Sequence, residues 1–179
     1  MEPLTTPRLL LESWRERHAA DLFRMSSDEK VMRHIGQGVW DPEYAAQRHA
    51  AALDHWAQHG FGWRAILDRI DRTFLGLAAL GWLRDAIPGI DRLAVEIGWW
   101  TEPHAWGRGI ATEAATALID DAFRRVGADL VVARCTPDNL ASRRIIGKLA
   151  MTRHPHDAPS LYGDLVQIYT LARPAVSSD

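Results

Sequence analysis

Apolar positions along the chain change period repeatedly, and the changes mark out alternating strands and helices. Runs with strand character fall at Leu9–Trp14, Trp63–Asp68, Phe74–Leu83, Leu93–Trp100, Leu130–Cys135, Met151–His154 and Leu165–Leu171. Helical spacing fits about Arg17–Ser26, Pro42–His59, Ile110–Val126 and Asn139–Leu149. The segments Asp68–Thr73 and Arg84–Arg92 are short and polar, with turn chemistry such as Pro88-Gly89, so the second to fourth strands are expected to follow one another without a helix. The fourth and fifth strands flank a helix, the connection that a parallel pair requires. Asp41 before Pro42 reads as a helix cap before an N1 proline, and Asp138 or Asn139 can cap the last helix. The pattern predicts one α/β (α+β) domain over 1–179 with an ordered core of about 6–173. Its sheet is mixed and mostly antiparallel, with about seven strands flanked by helices. Both ends, Met1–Thr5 and Ala175–Asp179, read as frayed.

The most informative stretch joins the fourth strand to the helix at Ile110. Its loop carries Gly107 and Gly109 and opens directly into an Ala-rich helix. The first turn of a helix has N–H groups without intrahelical partners and a partial positive charge, so a loop of little bulk lets phosphate oxygens reach them. A nucleoside triphosphate loop needs Lys-Ser or Lys-Thr after its last glycine, where this chain has Ile110-Ala111. A dinucleotide fingerprint needs a third small residue, where Thr112 stands, and an acid at the end of the next strand, whereas Asp129 precedes that strand. The pattern that fits is Gln/Arg-x-x-Gly-x-Gly/Ala, occupied by Trp106, Gly109 and Ala111.

That loop resembles the acetyl-CoA pyrophosphate loop of the GNAT-family N-acetyltransferases, and the resemblance covers nearly the whole chain. Thr6-Pro7-Arg8-Leu9-Leu10-Leu11 is similar to the opening strand of the RimJ/RimL branch, which acetylates ribosomal-protein N-termini. Trp106-Gly107-Arg108-Gly109-Ile110-Ala111-Thr112-Glu113-Ala114 resembles that branch's variant of the loop. Asn139 to Met151 resembles the family's second motif, an Asn that opens a helix ending near Lys-Leu-Gly-Phe or Met. Trp106 replaces the usual Gln or Arg, and Ala150 the preferred Gly.

The resemblance implies a fold in which the fourth and fifth strands splay apart, so that the pantetheine arm of acetyl-CoA bonds to the fourth strand's backbone. Trp99, Trp100 and Thr101 occupy that end, and Trp106, Gly107, Arg108, Gly109, Ile110, Ala111 and Thr112 form the implied pyrophosphate site. Asn139 is implied as a cofactor or water ligand, against a plain helix cap. Acetyl transfer asks the protein to align two reactants, take a proton from an ammonium, and stabilise the departing thiolate. Glu96 lies thirteen residues before Gly109, close to the spacing of a catalytic glutamate in some family members. The other reading of Glu96 is a strand carboxylate paired with an arginine or solvated. Many members carry a Tyr seven residues after the motif Asn, but this chain has Ile146 there, so Ser142 is the candidate thiolate donor, beside a plain solvent-facing role.

Other residues fit blander roles. Cys135 reads as strand packing rather than a nucleophile, since no activating partner is evident. His55 and His59 have i,i+4 spacing, but Trp56 replaces the glutamate of the zinc motif, and His154-Pro155-His156-Asp157 reads as a polar loop. No metal is expected. Among the tryptophans, Trp40, Trp56 and Trp63 are read first as core, with the acceptor pocket as the alternative.

Composition narrows the partners. A formal net charge of −2 gives no footprint for nucleic acid, and no apolar run approaches the roughly 20 residues of a membrane span. With one cysteine there is no intrachain disulfide, and no stretch reads as a signal peptide, so a cytoplasmic protein is expected. The reading is an acetyl-CoA-dependent N-acetyltransferase acting on a primary amine, a protein N-terminus or a small molecule, with a homodimer compatible. The acceptor side is expected from residues 24–60 and 151–165. Two rivals stand beside it: a catalytically idle acyl-CoA-binding module, suggested by Ile146, and a nicotinamide-dependent oxidoreductase, resting only on Gly107-Arg108-Gly109.

Overall fold

A computed structural model describes residues 2–159 and 165–175. Within them, β1 (Leu4–Thr5), β2 (Leu9–Ser13), β3 (Arg64–Asp68), β4 (Phe74–Trp82), β5 (Ala94–Thr101), β6 (Leu130–Cys135), β9 (Leu165–Ala172) and β7 (Thr152–Arg153) lie side by side in that order, and β8 (Ala158–Pro159) pairs with β9. Every neighbouring pair is antiparallel except β5 and β6. The mixed, mostly antiparallel sheet is therefore as expected.

The sheet is covered on both faces. Helices α4 (Ile110–Asp121) and α5 (Leu140–Lys148) pack Ala114, Leu118 and Ile146 against Val95, Ile97, Val131 and Ala133. Helices α1 (Ala19–Ser26), α2 (Glu29–Met32) and α3 (Pro42–His59) pack Leu22, Met32 and Ala52 against Ala65 and Leu77. Trp40, Trp56 and Trp63 belong to or pack against this second core, where Trp63 and Trp40 meet Trp100 edge to face at 5.4 and 5.9 Å. All three thus make packing contacts, as in the first of the two readings.

Local signals explain most of the boundaries. The Asp41 carboxylate accepts the Tyr44 N–H at 2.7 Å, Pro42 follows it, and Gly60 closes α3 at φ 70°. The helix expected to reach Val126 is α-helical only to Asp121 and then widens into a π turn over Ala122–Val126. This turn accompanies a bidentate grip of Arg125 on the buried Asp121 carboxylate at 2.7 and 2.6 Å. β1, α2 and β8 are two to four residues long, too short to show a period in the sequence. Leu4 and Thr5, read as frayed, pair with Leu11 and Leu10. The end from Val176 and the 160–164 part of the expected acceptor region lie outside the described residues.

The parallel pair is the feature that shapes the site. β5 and β6 stay in register from Ala94↔Leu130 to Ile97↔Ala133 and then separate. Beyond the fork, β5 is held by β4 to Gly76↔Thr101 and β6 by β9 to Cys135↔Gln167. The splay implied by the resemblance is present. A bulge in β4 lies at the same end, between Ile66↔Gly76 and Leu67↔Phe74. A Cβ at Gly76, whose φ is 148°, would sit 2.2 Å from the Trp100 carbonyl oxygen, so only glycine lets β4 press this close to the end of β5.

Ala150, at the family's preferred glycine position, has φ 55°, the left-handed region. A Cβ there costs about 1–2 kcal/mol. Ala150→Gly is therefore expected to stabilise the fold by about 0.5–1 kcal/mol after allowing for glycine's greater freedom when unfolded. Thermal unfolding checks this: the midpoint should rise, by roughly 1–4 °C for a chain of this size.

Candidate active site

Backbone alternation along β5 determines what the fork offers. Leu83 N–H donates to Ala94 O at 3.0 Å and Glu102 N–H to Leu75 O at 2.9 Å, which fixes the even-numbered residues of β5 as those bonded to β4. The N–H and C=O of the odd-numbered residues point toward β6. Ile97 still lies within the β6 register, whereas Trp99 lies beyond it and turns its backbone groups into the gap. The Thr101 carbonyl, next in the series, accepts the Trp106 indole N–H at 2.8 Å. Trp106 thus ties the loop to the end of the strand.

Left-handed glycines turn the loop into α4. Gly107 and Gly109 have φ 71° and 76°, and Gly109 is the N-cap residue of α4, without a side-chain cap for the first turn. Both glycines are needed for backbone shape as well as for small size. The loop is braced from β2's approach. Arg8 Nε and NH2 contact Glu113 Oε2 at 2.7 and 2.6 Å, the Thr6 hydroxyl donates to Glu113 Oε1 at 2.6 Å, and Arg8 NH1 donates to the Arg108 carbonyl at 2.8 Å. Burial alone would raise the Glu113 pKa, but these hydrogen bonds and the Arg8 charge hold it below the usual carboxylate range.

An open cleft of about 550 Å³ lies where these parts meet. Trp99, Trp100 and Thr101, the loop residues Trp106, Gly107, Gly109, Ile110, Ala111 and Thr112, and Asn139 and Ser142 all line it. Lys30, Arg33, Arg144 and Lys148 bring cationic side chains to its wall, which suits a polyanionic ligand. His34, on the wall, has its Nδ1 3.6 Å from Asp138 Oδ2. Arg108 does not line the cleft: its side chain is exposed and its carbonyl is taken by Arg8, so its part is to be held by the brace.

Asn139 caps α5, its Oδ1 accepting the Ser142 N–H at 3.0 Å. That leaves its amide nitrogen as the group able to meet a ligand. Ile146 is 2% exposed and packed in the main core, so the usual phenol position points away from solvent and into protein. Cys135 lines the cleft, but burial raises its thiol pKa, which disfavours a thiolate.

Glu96 does not line this cleft directly. Its neighbours Val95 and Ile97 face α4, which turns Glu96 with Ala94 to the opposite face of the sheet. Arg134, which does line the cleft, stands beside it with Nε 3.4 Å from Glu96 Oε2. About 41% of the Glu96 side chain is accessible, yet its surroundings are dry enough that burial raises the carboxyl pKa, outweighing the Arg134 charge, with Asp85 adding to the rise.

The acetyltransferase (GNAT) domain pattern matches residues 8–152. The chain belongs to the GNAT family. It is 26% identical over 150 residues to the uncharacterised N-acetyltransferase YnaD of Bacillus subtilis, covering 84% of this chain and 82% of that protein. An acetyltransferase from Agrobacterium tumefaciens superposes with a TM-score of 0.82 at 21% identity, over 97% of this chain and 95% of the other. RimL, a ribosomal L7/L12 alpha-N-protein acetyltransferase solved in complex with coenzyme A, superposes with a TM-score of 0.74 at 22% identity, over 96% and 98% of the two chains.

Within the GNAT frame, sequence reading missed the partnership between the opening Thr6-Pro7-Arg8 and Glu113. Both halves were visible as motifs, but nothing in the sequence says that residues 105 apart meet. It also missed the α2 wall, because four residues show no period. Among the described residues, no group of three or more His, Cys, Asp or Glu is placed to hold a metal. The His55 and His59 rings lie 4.6 Å apart, tilted by 56°, with His55 Nδ1 2.8 Å from the Phe61 carbonyl oxygen.

Removing the brace tests whether it shapes the loop. Glu113→Gln is expected to weaken acetyl-CoA binding by roughly tenfold, on the order of 1.4 kcal/mol of lost preorganisation, with the fold retained. Because the folded-state pKa is depressed, the stability due to the Glu113 carboxylate is present above its unfolded pKa of about 4.3 and lost as pH falls through the folded value. The stability gap between wild type and variant should accordingly shrink on acidification. Calorimetric titration and pH-dependent unfolding read the two effects, and equal affinities for both proteins would show the brace to be irrelevant to the loop.

Proposed function

We propose that this protein is an acetyl-CoA-dependent N-acetyltransferase that joins cosubstrate and a primary amine in one ternary complex, with direct attack of the amine. The observation that carries the reading is the fork between β5 and β6 opening beside the uncapped first turn of α4. The protein-side groups suit the group that GNAT enzymes use. The Trp99 N–H and C=O offer strand-like partners to an amide-bearing arm, and the free N–H groups of α4, with Lys30, Arg33, Arg144 and Lys148 nearby, suit a diphosphate. When bound, acetyl-CoA supplies an activated thioester.

The chain's own residues then have three tasks. β5 and the glycine loop hold the cosubstrate in line, which removes much of the entropic barrier to a two-reactant step. Glu96, its pKa raised by burial, accepts a proton from the acceptor's ammonium, directly or through water. The Ser142 hydroxyl, on the cleft wall one turn from Asn139, donates to the leaving sulfur. The acceptor is a protein N-terminus or a small-molecule amine. The relationship to RimL, described as a ribosomal L7/L12 alpha-N-protein acetyltransferase, supports placing protein N-termini first in a screen.

Release of free CoA in the presence of pooled peptides and small amines tests the reading. Glu96→Gln should lower turnover at neutral pH by about 10²–10⁴ with acetyl-CoA affinity nearly unchanged. In the companion variant, Ser142→Ala, the maximal rate should fall more than cosubstrate affinity, since the interaction strengthens as charge develops on sulfur. The buried Ile146 favours one other reading, a non-catalytic acyl-CoA-binding module, which would bind acetyl-CoA and release no CoA above the spontaneous rate.

A further inference from the structure

Glu96, Arg134 and Asp85 form a line of three charges beside the fork. Arg134 NH1 donates to Asp85 Oδ2 at 2.9 Å, from the segment between β4 and β5. Arg134 Nε lies 3.4 Å from Glu96 Oε2, close enough for an ion pair but without hydrogen-bond geometry, and both Nε and NH2 are buried with no hydrogen-bond partner. The Arg134 side chain is only 10% exposed, so water does not serve these donors. Among the described residues its side-chain hydrogen bond is to Asp85, while the unused Nε lies beside the Glu96 carboxylate and NH2 is unused as well. A guanidinium released from Asp85 would have a stronger arrangement available, a two-pronged pair on Glu96. Such a pair would occupy the carboxylate oxygens.

We propose that Asp85 is a positioning residue for acetyl transfer: by holding Arg134 through NH1 it keeps the guanidinium from closing onto Glu96, and so leaves the Glu96 oxygens open to the acceptor's ammonium. This rests on Glu96 being the proton acceptor. Among the described residues, Arg134 from β6 and Asp85 from the β4–β5 connection are the charged groups that bear on Glu96. Burial and the Asp85 charge raise its pKa and Arg134 lowers it. Neutralising Asp85 removes one upward influence and frees Arg134 to exert more of the downward one. Both changes make Glu96 a weaker and more occupied base.

The test compares wild type, Asp85→Asn and the double variant Asp85→Asn/Arg134→Gln, each as the full chain, by two measurements. One is the pH profile of CoA release with the amine panel; the other is the carbon-13 carboxyl titration of Glu96 without ligand, which needs no turnover. In Asp85→Asn the Glu96 titration and the acid limb of the rate should both move to lower pH. The plateau rate should fall roughly tenfold, with KM for acetyl-CoA unchanged. Adding Arg134→Gln should return the titration to the wild-type position or above it. Asp85 is exposed, and unchanged thermal midpoints identify folded variants, with Asp85→Ser as a second choice. A Glu96 titration that stays in place in the folded Asp85 variants overturns the proposal. Absence of CoA release from wild type with every amine would instead overturn the acetyl-transfer reading, and the carboxyl titration would still report whether Asp85 restrains Arg134.

Discussion

The arrangement of the site depends on the point at which β5 and β6 stop pairing. A parallel pair with antiparallel neighbours on both sides can separate without either strand losing its support, because β4 holds β5 and β9 holds β6. The separation leaves polar backbone groups of Trp99 without strand partners in a sheet where their equivalents are paired. Gly76 permits this end of the sheet to be so tightly built, since a side chain there would strike the Trp100 carbonyl. The gap is therefore a feature maintained by its flanks, and it opens next to a loop-to-helix junction in which two left-handed glycines, Gly107 and Gly109, lead directly into α4.

Position and charge at that junction come from different parts of the chain. The left-handed turns at Gly107 and Gly109 aim the first N–H groups of α4 outward, and the Thr6–Arg8–Glu113 network fixes the turn to the edge of the sheet. Lys30 and Arg33 in and just after α2, Arg134 of β6, and Arg144 and Lys148 of α5 contribute cations around the cleft. On the other face three charged side chains are linked, because Glu96 shares Arg134 with Asp85.

Much of this was legible in the sequence for physical reasons. The strands from Phe74 to Cys135 and the helix Pro42–His59 carry long periods and explicit caps, so their limits fall within a residue or so of expectation. The glycine loop was legible because left-handed turns and helix starts have few alternatives. Illegible features are those made by distant contacts: the Arg8–Glu113 brace, the sharing of Arg134, and the π turn after Asp121. Asn139 shows the intermediate case, where the residue was singled out but its side-chain oxygen serves the helix cap. Ala150 departs from the family's glycine, and its left-handed backbone shows why glycine is favoured there.

The central claim is that the β5 backbone beyond the fork receives the amide-bearing arm of acetyl-CoA. Amide hydrogen exchange at single-residue resolution, measured with and without acetyl-CoA, tests it most directly. The Trp99 N–H should exchange readily in the free protein and become strongly protected at saturating acetyl-CoA, with little change at the β4-bonded Gly98 N–H. Saturation with acetyl-CoA that leaves Trp99 exchange unchanged would contradict the claim, whatever the rate of acetyl transfer.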